Sequence, residues 1–143
     1  MTGNPSRRSF LQAGLLAPAV GLAASAIPYR VLGKTGLKVA PVGYGVGFTP
    51  DPSVISKALD LGVNLYDTAR DYSAGNSERL LGTALKGRRD KAVLVSKTMG
   101  SSVSEALSHI DESLKTLGTD YLDVWLMHAK DTPESIKPEV VDA

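Results

Sequence analysis

A constant period of 29 residues runs through the middle of this chain, where short apolar segments start near Val63, Ala92 and Tyr121. Each segment is followed by apolar residues at helical spacing. Near-continuous apolar strands that alternate with amphipathic helices are typical of parallel βα units. Because right-handed crossovers join such units, the carboxyl ends of their strands lie at one edge of the sheet. The sequence therefore predicts an α/β fold.

Capping signals mark the ends of the helices between these strands. Asp51 followed by Pro52 is typical of a helix start, since the aspartate caps free backbone N–H groups and proline suits the first helical position. Ser102 and Glu105 form a capping-box pattern. The helix that they open is predicted to end at Gly118, because glycine readily adopts the left-handed conformation of a helix end.

Two glycine-rich turns shape the region before the first helix. Residues 29–39 read as a small hairpin with Gly33 and Gly36 in its turn, and residues 39–44 are expected to continue as the first strand of the sheet. That strand runs into Gly43, Gly45 and Gly47. Glycines at this point let a flat ligand approach the backbone closely, although glycines after a strand more often serve a turn.

The first 26 residues are typical of an export signal. Arg7 and Arg8 precede an uncharged apolar run at residues 13–26, which is too short to span a bilayer comfortably and ends in small residues at Ala26. This pattern predicts a twin-arginine signal peptide over residues 1–26, followed by a domain at residues 27–143. The location expected from it is periplasmic or otherwise outside the cytoplasm of a bacterium. The other interpretation is a disordered tail with an apolar helix.

Charge and composition exclude several classes of function. The net charge is +1 and the basic residues form no long run, so the sequence does not favour a nucleic-acid partner. The absence of cysteine excludes disulfides, thiolate metal sites and iron–sulfur ligation, and no metal site is expected. After residue 26 no stretch is long and apolar enough to suggest a membrane span.

Four titratable residues follow the predicted strands and fall on the same sheet edge: Asp67, Tyr72, Lys97 and His128. Taken singly, each has an ordinary explanation as a turn cap, a loop anchor, a solvated charge or a structural histidine. Their convergence from successive βα units favours a joint catalytic role. A phenol has a pKa of about 10, and an adjacent ammonium favours its ionised form. Such a set suits protonation of a carbonyl oxygen whose carbon receives hydride.

Several segments resemble the aldo-keto reductase family. They cover residues 29–39, 67–72 (Asp-Thr-Ala-x-x-Tyr), 76–82 (Asn-Ser-Glu-Arg-Leu-Leu-Gly), 88–91, 96–97 and 113–128. The resemblance implies a (β/α)8 TIM barrel and reduction of a small-molecule aldehyde or ketone with NADP(H). It also implies four roles: Tyr72 as general acid–base, Lys97 and Asp67 as the pair that tunes it, and His128 as the group that orients the substrate. The expected cofactor contacts are Gly45, Val46 and Asp67.

Length sets a further expectation. A complete barrel takes about 250 residues, whereas residues 27–143 account for a hairpin and about four βα units. The sequence therefore predicts the N-terminal half of a barrel, a truncated chain whose unpaired strand edges favour self-association. Two function classes stay open: an NADP(H)-dependent oxidoreductase of which this chain is an incomplete copy, and a non-catalytic half-barrel that serves as a binding or assembly module.

Overall fold

The computed structural model describes residues 27–143. The segment interpreted as a twin-arginine signal, residues 1–26, lies outside the described residues. The strands are β1 (Arg30–Val31), β2 (Lys38–Val39), β3 (Tyr44–Gly45), β4 (Leu65–Asp67), β5 (Val93–Thr98) and β6 (Val124–Met127). The helices are α1 (Pro52–Asp60), α2 (Asn76–Ala84), α3 (Val103–Leu117) and α4 (Pro138–Asp142), with short 3-10 turns at Tyr72–Gly75, Arg89–Lys91 and Pro133–Ser135.

Strands β3, β4, β5 and β6 form a parallel sheet in chain order. The register pairs Gly45 with Asp67, and Asp67 with Val95. Each crossover contains a helix, as the 29-residue period predicts. All four strands therefore end at one edge, which is the edge where ligand sites form in parallel α/β folds.

The core lies between this sheet and helices α1, α2 and α3. Side chains from strands and helices meet there in one cluster: Val46, Ile55, Leu59, Tyr66, Leu81, Ala84, Leu85, Ala92, Leu94 and Leu117. Alternation along β5 sends Leu94 into this cluster, so Val95 and Lys97 face the opposite side of the sheet. The helices thus cover one face of the sheet, and the candidate site lies at its carboxyl edge.

Tyr66 anchors the middle of the core. Its side chain is fully buried, and its hydroxyl donates to the carbonyl oxygens of Val63 at 2.8 Å and Ile55 at 3.2 Å. Burial, which penalises the charged phenolate, raises the pKa of Tyr66 to about 12. This tyrosine therefore stays neutral at physiological pH, and it ties β4 to α1 immediately before Asp67.

The predicted helix ends are confirmed. Asp51 accepts a hydrogen bond from the Ser53 N–H at 2.8 Å, and Pro52 occupies the first helical position of α1. Ser102 and Glu105 form both bonds of the capping box on α3. Gly118 ends α3 in the left-handed conformation with φ of 68°.

The hairpin is confirmed, whereas the first strand is shorter than the sequence predicts. Val39 pairs with Arg30 in the antiparallel hairpin and does not continue into the sheet. Pro41 has no N–H to give to a ladder, and the Ala40 N–H donates to Asn64 Oδ1 at 2.8 Å instead. The expected strand at residues 39–44 is therefore wrong, and the sheet begins only at Tyr44.

Strand β5 runs to Thr98 and is paired on both sides. Its neighbours β4 and β6 hold it by parallel ladders, with Lys97 opposite Leu126. Lys97 therefore belongs to the strand itself and not to the loop that follows. Among residues 27–143, no helix combines the length and apolar character needed to cross a membrane.

Candidate active site

The carboxyl edge of the sheet brings the four predicted residues together. Asp67 is the last residue of β4, Lys97 lies one residue before the end of β5, and His128 directly follows β6. Tyr72 begins the 3-10 turn that follows β4. The edge is thus built from three neighbouring strands and one loop.

Lys97 lies at the centre of this edge. Its ammonium donates to Asp67 Oδ1 at 2.6 Å and to the Thr68 carbonyl oxygen at 2.7 Å. The lysine side chain is only 11% exposed, whereas that of Asp67 is 45% exposed. An ammonium held away from water needs such partners, because desolvation penalises an isolated charge heavily. Asp67 therefore pairs with the Lys97 ammonium and holds it in position.

Tyr72 lies against this ion pair and against His128. Lys97 Nζ is 4.7 Å from the centre of the Tyr72 ring, close enough for a cation–π interaction. The rings of Tyr72 and His128 meet edge to face, with centroids 5.6 Å apart and planes at 78°. No hydrogen bond joins the Tyr72 hydroxyl to another residue of the described part. The hydroxyl is therefore free to bond a ligand.

His128 is held by its backbone and covered on one side of its ring. Its N–H donates to the Thr98 carbonyl oxygen at 2.8 Å, which continues the β5–β6 ladder past the last strand residue. Its Nδ1 is shielded from solvent and has no hydrogen-bond partner among residues 27–143. This leaves Nε2 as the ring nitrogen that can serve a ligand at the sheet edge.

The loop that carries Tyr72 is tied to its surroundings at both ends. Arg70 forms an ion pair with Glu112 of α3. Ser73 Oγ donates to the Gly47 carbonyl oxygen at 2.9 Å. Ser73 and Ala74 both have φ of 52°, which lies in the left-handed region. This conformation is energetically unfavourable for residues other than glycine. The protein thus holds two strained residues directly after Tyr72.

The expected cofactor segment splits into an open part and a buried part. Gly45 pairs with Asp67 at the sheet edge, and a Cβ at this glycine would meet nothing within 4 Å. The side chain of Val46 packs in the core, and its N–H donates to the Asp67 carbonyl oxygen at 2.9 Å. Gly45 and the exposed Asp67 carboxylate can therefore face a flat ligand, and Val46 could contact one only through its backbone.

Three residues around this edge make contacts that the sequence analysis did not predict. Gly47 packs on Tyr72, since a Cβ there would lie 3.4 Å from the ring. Glu78 is buried and accepts a hydrogen bond from Ser96 Oγ at 2.7 Å, which links α2 to β5 beside Lys97. Its spacing of three residues from the buried Leu81 was a usable signal that it faces the core. Asp71 lies near His128, and no sequence pattern indicated it.

A cleft of about 640 Å³ at the amino ends of β5 and β6 is a weaker candidate. Arg89 there pairs with Asp123 at 2.7 Å and stacks 3.9 Å from the centre of the Tyr121 ring. Arg89 also donates to the Tyr121 carbonyl oxygen at 3.1 Å, and contacts of this kind are expected to stabilise the amino-terminal face of such folds. The carboxyl edge, with its free hydroxyl and open glycine, is the better site.

Comparison with known proteins agrees with the geometry. Residues 52–143 match the model of the aldo/keto reductase family. The chain belongs to the aldo/keto reductase family. This confirms the family resemblance predicted from the sequence segments.

Three relatives illustrate the relationship. Aldo-keto reductase YhdN of Bacillus subtilis is 31% identical over 72% of this chain and 38% of its own length. A Schizosaccharomyces pombe protein named as a voltage-gated potassium channel subunit beta is 35% identical over 82% of this chain and 40% of its own length. The structure of an aldo-keto reductase from Klebsiella pneumoniae in complex with NADPH is 30% identical, with a TM-score of 0.65 over 75% of this chain and 40% of that one.

The chain therefore spans about two fifths of the length of these aldo/keto reductase relatives. The solved relatives are (β/α)8 barrels, and the four parallel βα units described here correspond to about half of such a barrel. The predicted fold class is confirmed. The roles assigned to Asp67, Tyr72, Lys97 and His128 stay predictions.

Proposed function

We propose that this chain supplies the catalytic edge of an NADP(H)-dependent oxidoreductase that reduces an aldehyde or ketone to an alcohol. The observation that carries the proposal is the continuous contact from Asp67 through Lys97 and Tyr72 to His128. In this order of contacts, the phenol is the group that can donate a proton. The ammonium with its carboxylate on one side and the imidazole on the other can stabilise and orient it. Family membership makes a carbonyl the expected substrate.

Each residue has a defined part in this proposal. Tyr72 donates its hydroxyl proton to the carbonyl oxygen as the carbonyl carbon accepts hydride. The Lys97 ammonium, fixed by Asp67, stabilises the phenolate that remains. His128 Nε2 donates a hydrogen bond to the same carbonyl oxygen and orients it toward Tyr72. The product is an alcohol, and the tyrosine regains its proton from solvent.

The residues at the edge fit the nicotinamide end of the cofactor. When bound, NADPH supplies the hydride. Gly45 leaves space for a flat ring beside the sheet edge, and the half-exposed Asp67 offers a carboxylate oxygen next to it. The NADPH present in the Klebsiella pneumoniae structure supports this choice of cofactor. Contacts to the rest of the dinucleotide would come from strands outside the described half.

The test uses residues 27–143 joined to the part of the Klebsiella pneumoniae enzyme that follows the matched region, a fusion called here the completed barrel. We expect Tyr72→Phe to lower kcat for aldehyde reduction by about 10²–10⁴, the usual contribution of a general acid. The affinity for NADPH should persist, because the hydroxyl acts in the transition state. Tyr29→Phe is the matched control, since that hydroxyl bonds the Gly62 carbonyl oxygen far from the edge. Retained turnover in Tyr72→Phe would reject the mechanism.

A non-catalytic role in binding or assembly is the second candidate, favoured by the name of the Schizosaccharomyces pombe relative. An assembly module has no need of a free phenol beside a buried ammonium. The two candidates differ in one measurement. A completed barrel that binds NADPH but never oxidises it with any of a panel of aldehydes would favour the assembly role.

We also propose that residues 1–26 direct the protein out of the cytoplasm by the twin-arginine route, on the strength of Arg7, Arg8 and the apolar run after them. Arg7→Lys with Arg8→Lys should keep the protein in the cytoplasm of a bacterial host. Arg30→Lys, on the exposed strand β1, is the control that should leave the location unchanged. Unchanged fractionation of the double variant would reject the export role.

A further inference from the structure

His128 carries a buried polar atom that the proposed mechanism does not use. Its Nδ1 is shielded from solvent and lacks a hydrogen bond within the described part of the chain. Leaving a buried donor or acceptor unpaired costs about 1–3 kcal/mol, so such an atom points to a partner. The structure offers one carboxylate near it: Asp71 Oδ2 lies 3.6 Å from His128 Nδ1. A shortening of about 0.6 Å brings this pair into ordinary hydrogen-bond range.

Asp71 is placed to make that approach. It directly precedes Tyr72 in the loop, and its carboxylate caps no backbone N–H of the 3-10 turn that follows. The ion pair between Arg70 and Glu112 holds the loop one residue earlier. On the other side, the Thr98 carbonyl oxygen fixes the backbone of His128. Two anchored segments thus face each other with an acid on one and an imidazole on the other.

We propose that Asp71 is a positioning residue for His128, accepting the Nδ1 proton and fixing the ring so that Nε2 faces the carbonyl site. The inference rests on the proposed function only for what Nε2 then does. In a neutral ring with its proton on Nδ1, Nε2 is an acceptor. Donation from Nε2 to a carbonyl oxygen then requires the imidazolium, whose charge Asp71 offsets.

The site then contains two carboxylates that each lie beside a basic side chain next to Tyr72: Asp67 is 2.6 Å from Lys97, and Asp71 is 3.6 Å from His128. Tyr72 thus lies between the Lys97 ammonium, 4.7 Å from its ring centre, and the His128 ring, which it meets edge to face.

The proton position can be read directly by NMR, because the chain has only two histidines. Ring ¹⁵N shifts of the full chain are expected to show a proton on His128 Nδ1, and Asp71→Asn should reduce the protonation of Nδ1. His109 is the internal reference, since its Nδ1 lies 2.8 Å from Thr98 Oγ1 and should not change. Glu112→Gln is the matched control, because it loosens the same loop and leaves Asp71 in place.

Kinetics of the completed barrel give an independent answer. Asp71→Asn should lower kcat/KM for an aldehyde at least about tenfold, and Asp71→Glu should restore part of it. Glu112→Gln should have a much smaller effect. A wild-type His128 without a proton on Nδ1, or shifts and kinetics unchanged by Asp71→Asn, would overturn this inference and leave the role of Tyr72 intact. Conversely, an active Tyr72→Phe barrel would reject the proposed function and leave the NMR result standing.

Discussion

Asp67→Asn tests whether the carboxylate supports a buried charge. The change keeps the shape of the side chain and removes its charge, so Lys97 loses the acid that lies 2.6 Å from its ammonium. Water cannot replace that acid easily, because the lysine side chain is largely buried. We therefore expect the completed barrel to lose stability and carbonyl reduction together.

The magnitude follows from how deeply each partner is buried. Removing one partner of a fully buried ion pair costs about 3–5 kcal/mol. Here Asp67 is half-exposed, the Thr68 carbonyl oxygen still accepts from Lys97, and the new amide oxygen also accepts. These remaining partners reduce the expected loss in the free energy of unfolding to about 1–2 kcal/mol. The opposite deletion, Lys97→Met, should cost less, because the carboxylate left behind is solvated.

Asp60→Asn is the matched control in the same barrel. Asp60 pairs with Arg88 at 2.7 Å, almost the same distance, but its cation is 28% exposed and lies far from the sheet edge. Exposed pairs of this kind contribute about 0–1 kcal/mol. The free energy of unfolding in urea and the rate of NADPH-dependent aldehyde reduction are measured for all three variants.

Two results would refute the reasoning. If Asp67→Asn cost no more stability than Asp60→Asn, Lys97 would not depend on its carboxylate. If Lys97→Met lowered the free energy of unfolding more than Asp67→Asn, the unpaired buried ammonium would not be the more destabilising of the two groups. A barrel that lost stability but kept its rate would separate the structural role of Asp67 from a catalytic one.

Three further predictions concern the fold. Gly82→Ala should destabilise the completed barrel by about 1–3 kcal/mol, because a Cβ there would lie 2.5 Å from the Leu117 carbonyl oxygen. The destabilisation by this clash exceeds the gain of about 0.5–1 kcal/mol that alanine brings in helix propensity. Gly45→Ala is the control with open space, and equal melting temperatures would refute the clash. Since burial raises the pKa of Tyr66 to about 12, its contribution to stability should be complete below about pH 10 and be lost as the pH rises through 12. Tyr66→Phe should therefore flatten the alkaline decline seen in urea titrations, and an unchanged slope would reject this origin. Residues 27–143 alone should self-associate through the edges of β3 and β6, where Leu126 is 42% exposed; a monodisperse monomer by light scattering would contradict this.

The sequence by itself determined the order and type of the main elements. Helix caps at Asp51 and Ser102 are local, since the capping side chain bonds backbone only two or three residues away. The period of 29 residues required parallel strands with a common edge, and that edge brings Asp67, Lys97 and His128 together. Helix capping and strand alternation depend on residues that are close together in the chain, so a single sequence is enough to predict them.

Only the tertiary structure decided where strands end and which polar groups meet. Strand β5 reaches Thr98 because two neighbours pair with it, and no local residue type indicates that. Glu78 shares a helix face with Leu81, but only the packing of α2 on β5 decides that its carboxylate accepts from Ser96 Oγ. Asp71 and His128 are 57 positions apart in the chain, and their approach depends on how the loop is anchored to α3 and how β6 pairs with β5. Contacts of this kind arise from packing between segments that are far apart in the chain. A sequence pattern does not give the spatial distance between such segments.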